Sequence, residues 1–175
     1  MAEVLEIKQI IATDLERFDR CVTCHMGFDP LSNPSLTTPY DKHPFKASAN
    51  KIHESHDISK FGCTSFHSGQ GLATTAEDAH GFVKHWEQPL LKSPFIQASC
   101  VKCHDNYENL PGTETAAKGK KLIGKLGCVG CHSFKGVGGE ISEDLGEVAD
   151  KPTSRIDWAY TGLKRDDWNI QNWIN

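Results

Sequence analysis

Most of this 175-residue chain alternates short apolar runs with polar and turn-forming residues, and one stretch has a clear helical period. In "TETAAKGKKLIGKLG" the apolar side of a helix would carry Gly119, Leu122, Ile123 and Leu126. The lysines of the same stretch fall on the opposite side. This pattern predicts an amphipathic helix. The turn-forming "NLPGTE" just before it predicts a domain boundary.

Upstream, two capping boxes predict helix starts: Thr13 with Glu16, and Thr74 with Glu77. The first helix would lead toward residue 22. The second would run from about Thr75 to Trp86.

The segments between these elements are rich in turn-forming residues. Residues 26–50 are rich in Pro, Ser and Thr and predict a loop, as does "HSGQGLATT". A short helix is predicted over 96–104, and two more are predicted near the C-terminal end, around Trp158, Trp168 and Trp173. Coil is therefore expected to outweigh regular structure.

Composition places the chain among ordinary globular proteins of one domain or two small ones. The mean hydropathy is −0.47 and no long apolar run occurs, so these residues contain no candidate membrane-spanning helix. A net charge of −4 gives no reason to expect nucleic acid as a partner.

The cysteines set this chain apart from an ordinary globular protein. Six of the seven cysteines fall in three Cys-x-x-Cys pairs, and a histidine directly follows each pair. Scattered at random, such a pentad would occur about 0.01 times in a chain of this composition. The pentad is the attachment site of a c-type haem, in which two thiols form thioethers with the porphyrin and the histidine becomes the proximal iron ligand.

Three complete haem sites are therefore predicted, and each is named here by its sequence. CVTCH comprises Cys21, Cys24 and His25; CVKCH comprises Cys100, Cys103 and His104; CVGCH comprises Cys128, Cys131 and His132. A zinc ribbon fits poorly, because its cysteine pairs are usually about 15–20 residues apart. A disulfide scaffold or a thioredoxin-like redox pair would have no need of the histidine.

A fourth segment, CTSFH, has Phe66 where the second cysteine would stand. Cys63 can still form one thioether, and His67 keeps the spacing of a proximal ligand. We hypothesise a fourth, singly attached haem with Phe66 against the porphyrin edge. The alternative is a haemless site in which Phe66 fills the vacated space.

Five further histidines are candidates for the sixth iron ligand, which predicts bis-histidine haems of low reduction potential. The preferred candidates are His80, His85 and His56, followed by His43 and then His53. On one helix, His80 and His85 would lie about 140° apart and serve different haems. The sequence does not assign distal histidines to particular haems. Methionine, the usual alternative ligand, is nearly absent.

From residue 113 onward, "GKKLIGKLGCVGCH" and "GVGGEISEDLGEV" resemble a class I monohaem cytochrome c domain. Upstream, "RCVTCH", "GCTSFHSGQG", "HGFVKHW" and "IQASCVKCH" resemble the multihaem part of bacterial cytochrome c subunits, which are anchored to the membrane and work beside cytochrome b. The resemblance implies a mainly α fold with much coil, in which haems form much of the core. It implies a multihaem part over 1–110 and a class I part over 111–175.

The class I part departs from the family pattern in two ways. It stops before the loop that usually bears an axial methionine. Either the domain is truncated, or the haem on His132 takes its sixth ligand from elsewhere, or that iron is open. "ISEDL" also stands where the family usually has a Gly-Pro pair. The carbonyl that holds the second nitrogen of the proximal His132 is therefore expected to come from Glu143.

Together these features predict an electron-transfer protein rather than an enzyme. It would carry single electrons between a membrane complex, which contains cytochrome b and oxidises quinol, and other cytochromes. This would take place in the periplasm or on the periplasmic face of the inner membrane. An export signal or membrane anchor is expected in a segment outside this sequence. The alternative is a haem enzyme or gas sensor with an open iron at His132. A lysine-rich helix face is either a docking patch or simply solvated: Lys118, Lys120, Lys121 and Lys125.

Overall fold

A computed structural model describes the chain over residues 6–26, 37, 43, 52–83, 86 and 88–148. The chain divides into two compact units, Met1–Trp86 and Glu87–Asn175, so the boundary predicted near residue 110 falls inside the second unit. Most of the loop predicted over 26–50, the helices predicted around the C-terminal tryptophans, His85 and the side chain of His53 lie outside the described residues.

The first unit opens with a β-hairpin. Strand β1 (Ile10–Ala12) pairs antiparallel with β2 (Arg17–Asp19), with Ile10 opposite Asp19. A 3₁₀ turn (Thr13–Leu15) joins the strands, and Glu16 reverses the chain in the left-handed region at φ 51°. The helix predicted from Thr13 is therefore wrong. The β-branched residues of β1 favour a strand, and the capping-box signal marks a single 3₁₀ turn.

The described residues of this unit then form a series of one-turn helices: α1 (Cys21–Cys24), α2 (Ile52–Ser55), α3 (Ile58–Phe61), α4 (Thr64–His67) and α5 (Ala76–Ala79). The Thr75 side chain caps α5 by accepting a 3.2 Å hydrogen bond from Asp78 N, one residue later than predicted. The helix ends before Gly81, which adopts φ 83°. The prediction of a helix to residue 86 is therefore wrong, and with it the helical angle between His80 and His85.

The second unit contains the longest described helix. That helix is α6 (Glu114–Lys125). The described residues of the unit also form 3₁₀ helices at Phe95–Lys102, Tyr107–Asn109 and Cys128–Gly130. A short hairpin of β3 (Ser133–Phe134) and β4 (Val137–Gly138) follows them. The amphipathic helix predicted after "NLPGTE" is confirmed as α6. Among the described residues, no helix combines the length and apolar character needed to cross a bilayer.

The described residues bury very little apolar surface of their own. Ala12 and Leu91 are the buried hydrophobic side chains among them. Meanwhile Leu126, Val137 and Ile141 are 71%, 75% and 82% exposed. A chain of this size normally buries a substantial apolar core. The protein atoms by themselves therefore do not bury these apolar side chains of the described residues.

Candidate functional site

All four motifs adopt the same local turn. In each one, the backbone N–H of the histidine donates to the carbonyl of the cysteine four residues earlier: His25 to Cys21 at 2.8 Å, His67 to Cys63 at 2.9 Å, His104 to Cys100 at 2.9 Å and His132 to Cys128 at 3.0 Å. CTSFH thus keeps the backbone geometry of the complete motifs. With Phe66 at the position of a second cysteine, CTSFH offers one thiol on the same turn.

CVTCH and CTSFH meet at one buried carboxylate. Asp19 is 0% exposed. Its Oδ1 accepts a 3.0 Å hydrogen bond from Cys21 N, at the start of α1. Its Oδ2 accepts 2.7 Å hydrogen bonds from Cys63 N and Thr64 N, at the start of α4. Asp19 is not among the residues predicted from the motifs, although an aspartate just before a helix start is a typical capping residue.

The thiols of these two motifs lie side by side. Ligating atoms of Asp19, Cys21 and Cys63 are all within 4.8 Å of one another. A hydrogen bond with the Cys63 thiol, then burial, then the Asp19 carboxylate raise the pKa of Cys21 far above its usual range. Cys21 is therefore held as a neutral thiol. Two sulfurs and a carboxylate would also suit a zinc ion, but both carboxylate oxygens are already engaged by backbone N–H groups.

Asp19 itself remains ionised. Burial alone would raise its pKa, but hydrogen bonds from the Cys21 thiol and from the N–H groups of Thr64, Cys21 and Cys63 outweigh burial and lower the pKa. Hydrogen bonds to the charged form of a carboxylate favour that form. The two motifs therefore share a buried negative charge.

The loop after CTSFH packs on strand β2. Arg20 N donates to Gly71 O at 2.9 Å, and Arg20 Nη1 donates to Leu72 O at 2.6 Å. A side chain at Gly71 would collide with the carbonyl oxygen of Phe18. Glycine is needed here for close approach of the two backbones. This contact ties the predicted loop "HSGQGLATT" to the hairpin that carries CVTCH.

The described residues of the first unit include two histidine pairs, each of which joins a motif histidine to a histidine outside the motifs. The ring centres of His25 and His80 are 6.1 Å apart with planes at 39°. Those of His43 and His67 are 5.9 Å apart with planes at 72°. Two imidazoles bound to one metal have ring centres about 6 Å apart, given metal–nitrogen bonds of about 2 Å and about 1 Å more from nitrogen to ring centre. The ring-centre separation in each pair is compatible with that distance.

His80 is held in place by the loop of the neighbouring motif. Gln70 N, three residues after CTSFH, donates to Ala79 O at 2.9 Å. His80 N in turn donates to Ala76 O at 3.0 Å and closes the last turn of α5. The candidate distal ligand of CVTCH is therefore positioned by the loop that follows CTSFH.

His56 lies among aromatic rings. Its Nδ1 donates to Ile52 O at 2.9 Å, which leaves Nε2 as the nitrogen with a lone pair. Its ring centre is 5.2 Å from that of Phe61 and 5.5 Å from that of Phe66, and the two phenylalanine rings are 6.1 Å apart. Phe66 therefore belongs to a three-ring cluster. The ligand role predicted for His56 stays a prediction.

CVGCH has the proximal geometry expected from the sequence. His132 Nδ1 donates to Glu143 O at 2.8 Å, which confirms the prediction for that carbonyl and leaves Nε2 to bind a metal. The adjacent Asp144 holds the loop through bonds from Ser133 Oγ (2.7 Å), Gly136 N (2.8 Å) and Gly146 N (2.6 Å). These bonds, that from Ser133 first, lower the pKa of Asp144. The loop stays anchored wherever Asp144 is ionised.

The CVKCH motif begins at Cys100, inside the 3₁₀ helix Phe95–Lys102. Burial raises the pKa of Cys100. Gln97 Oε1, one turn earlier, accepts hydrogen bonds from Thr115 N at 2.7 Å and Ala116 N at 3.1 Å in the first turn of α6. The segment that bears CVKCH is thereby tied to the helix that leads into CVGCH.

A glycine after CVGCH gives a testable packing contact. Gly139 N donates to Val129 O at 2.8 Å, and a side chain at Gly139 would collide with the backbone carbonyl of Gly130. Gly139→Ala is expected to lower the free energy of unfolding by about 1–3 kcal/mol, since backbone atoms must move to admit it. Urea unfolding of the haem-loaded chain, followed by circular dichroism, measures this.

Gly119→Ala is the matched control for this substitution. Gly119 lies in α6 with open space where a side chain would stand. Alanine there is expected to raise the free energy of unfolding by about 0.4–1 kcal/mol, because it lowers the entropy of the unfolded chain. Equal urea midpoints for the two variants would contradict the close contact at Gly139.

Comparison of the chain with protein-family models, with curated proteins and with solved structures finds no match. The functional assignment therefore depends on the motifs and on the geometry described above.

Proposed function

We propose that this chain is a multihaem c-type cytochrome that carries single electrons through mostly bis-histidine haems. The observation that carries the proposal is the pairing of His25 with His80 at 6.1 Å and of His43 with His67 at 5.9 Å. Unrelated aromatic rings also pack at about 4.5–7 Å. Here, however, both pairs combine a motif histidine with one outside the motifs, as two axial ligands of one iron require.

The apolar surface around CVGCH supports a bulky apolar group at that motif. Leu126 and Val129 flank the first cysteine, and Ile141 lies on the loop beside Glu143. All three side chains are exposed among the described residues, Leu126 and Ile141 by more than two thirds. A porphyrin held by Cys128 and Cys131 would cover such side chains, and burial of apolar surface is favourable. The residues present therefore fit the cofactor.

A bound haem would supply an iron that gains and loses one electron. The residues of the chain would decide what that iron can do. If His25 with His80, and His43 with His67, held the iron, no ligand position would be left for a substrate, which favours electron transfer over catalysis. The cysteines would fix each group covalently, and the carbonyls of Glu143 and Ile52 would orient the His132 and His56 rings.

We place the protein in the periplasm or at the periplasmic face of the inner membrane, because c-type haems are attached outside the cytoplasm. Its proposed partners are a cytochrome b complex that oxidises quinol and a downstream cytochrome. Docking would use the lysine face of α6. Lys120 donates to Glu108 Oε1 at 2.6 Å and lies over the Tyr107 ring, so the proposed docking face is confined to Lys118, Lys121 and Lys125.

Carbon monoxide binding tests the function of the haem-loaded chain. Electron transfer through six-coordinate irons predicts that carbon monoxide leaves most of the reduced visible spectrum unchanged. A shift of one haem equivalent would instead indicate one open iron, as in the alternative of an open iron at His132. Carbon monoxide binding by every haem would contradict the bis-histidine proposal.

A further inference from the structure

We infer that Asp19 joins the CVTCH and CTSFH haem sites into one unit, as the structural anchor of both motifs and as the buried negative charge that both haems share. This inference rests on the proposed function. Nothing in the motif pattern itself assigns a role to Asp19.

The structural part follows from three hydrogen bonds. The Asp19 carboxylate accepts hydrogen bonds from the backbone N–H groups of Cys21, Cys63 and Thr64. These groups lie at the starts of two motifs whose first cysteines are 42 positions apart in sequence. Each helix start carries the cysteine that would hold a haem. Displacing the carboxylate would therefore shift both attachment points together.

The electrostatic part follows from burial and distance. Asp19 is 0% exposed, and its ligating oxygen lies within 4.8 Å of the Cys21 and Cys63 sulfurs. Each sulfur would be bonded directly to a porphyrin substituent, so the charge lies near both groups. Buried charges are screened much less than exposed ones. A negative charge disfavours the addition of an electron nearby, so Asp19 lowers the reduction potential at both sites.

The test is a spectroelectrochemical titration of the full haem-loaded chain with Asp19→Asn. The substitution removes the charge and nearly keeps the shape. We expect the midpoints of two haem equivalents to move upward, while the remaining haems keep theirs. Asp57→Asn is the matched control, because Asp57 also caps a helix, accepting from Ser59 N at 2.9 Å, but is exposed and caps no motif. We expect no shift there.

Asp19→Glu separates charge from structure, since it keeps the charge and alters the reach of the carboxylate. We expect its midpoints to stay closer to the wild-type values than those of Asp19→Asn. Equal upward shifts in both variants would overturn the shared-charge role. If Asp19→Asn instead impairs haem incorporation, the mass of the denatured chain decides: joint loss of two haems supports the shared anchor, and loss of one alone overturns it.

The inference and the proposed function fail in different ways. Asp19→Asn chains that contain every haem at unchanged midpoints, or with only one midpoint shifted, would overturn the role of Asp19 and leave the cytochrome proposal standing. A wild-type chain without covalent haem would overturn both the role of Asp19 and the cytochrome proposal.

Discussion

Replacing His80 with alanine is expected to give the reduced protein one additional carbon monoxide site per chain. The ring of His80 lies opposite that of His25, with centres 6.1 Å apart. Without it, the iron bound by His25 would lose its sixth ligand while both thioethers still held the haem. An open ferrous iron binds carbon monoxide. Carbon monoxide titration of the dithionite-reduced visible spectrum measures the gain.

His43→Ala provides the matched comparison, because His43 faces His67 at 5.9 Å. It is expected to add one carbon monoxide equivalent of its own. The double variant is expected to add two, since the two pairs involve different irons. A His80→Ala chain with the carbon monoxide stoichiometry of the wild type would show that His80 is not an axial ligand.

Replacing Cys63 with serine is expected to convert one of four covalently attached haems into one that can be extracted. Cys63 is the single thiol of CTSFH, whereas His67 and His43, the proposed metal ligands, would be unchanged. Acidified acetone breaks iron–histidine bonds but leaves thioethers intact. After extraction, the wild type is expected to retain four haems. The Cys63→Ser chain is expected to retain three and release one into the extract.

Phe66→Cys is the matched control for this substitution, because it restores a complete Cys-x-x-Cys-His pentad in a motif that already has the required turn. It is expected to retain all four haems after extraction. Its pyridine haemochrome band should also shift to shorter wavelength, because the last free vinyl group is consumed. Three retained haems in the wild type and in Cys63→Ser alike would show that CTSFH holds no haem.

Features governed by local sequence could be predicted. The apolar stripe through Leu122 predicts a helix, and the structure has helix α6 there. The contact of His132 with Glu143 follows from a short loop with a family-like spacing. In both cases the partners lie within about a dozen residues of one another, where spacing restricts the geometry.

Features that depend on distant partners could not be predicted. The capping-box signal of Thr13 and Glu16 marks a 3₁₀ turn inside a hairpin, because β1 and β2 pair on either side of it. Asp19 binds the start of CTSFH, which begins 44 residues later. The pairing of His25 with His80 likewise depends on how the chain folds back, and no local pattern encodes it.

The most direct test of the central claim is the intact mass of the denatured wild-type chain, purified from cells that attach c-type haem. We expect the mass of the polypeptide plus four haems, three of them held by complete pentads and one by Cys63 alone. The mass of the bare polypeptide would contradict the proposal that this chain is a c-type cytochrome.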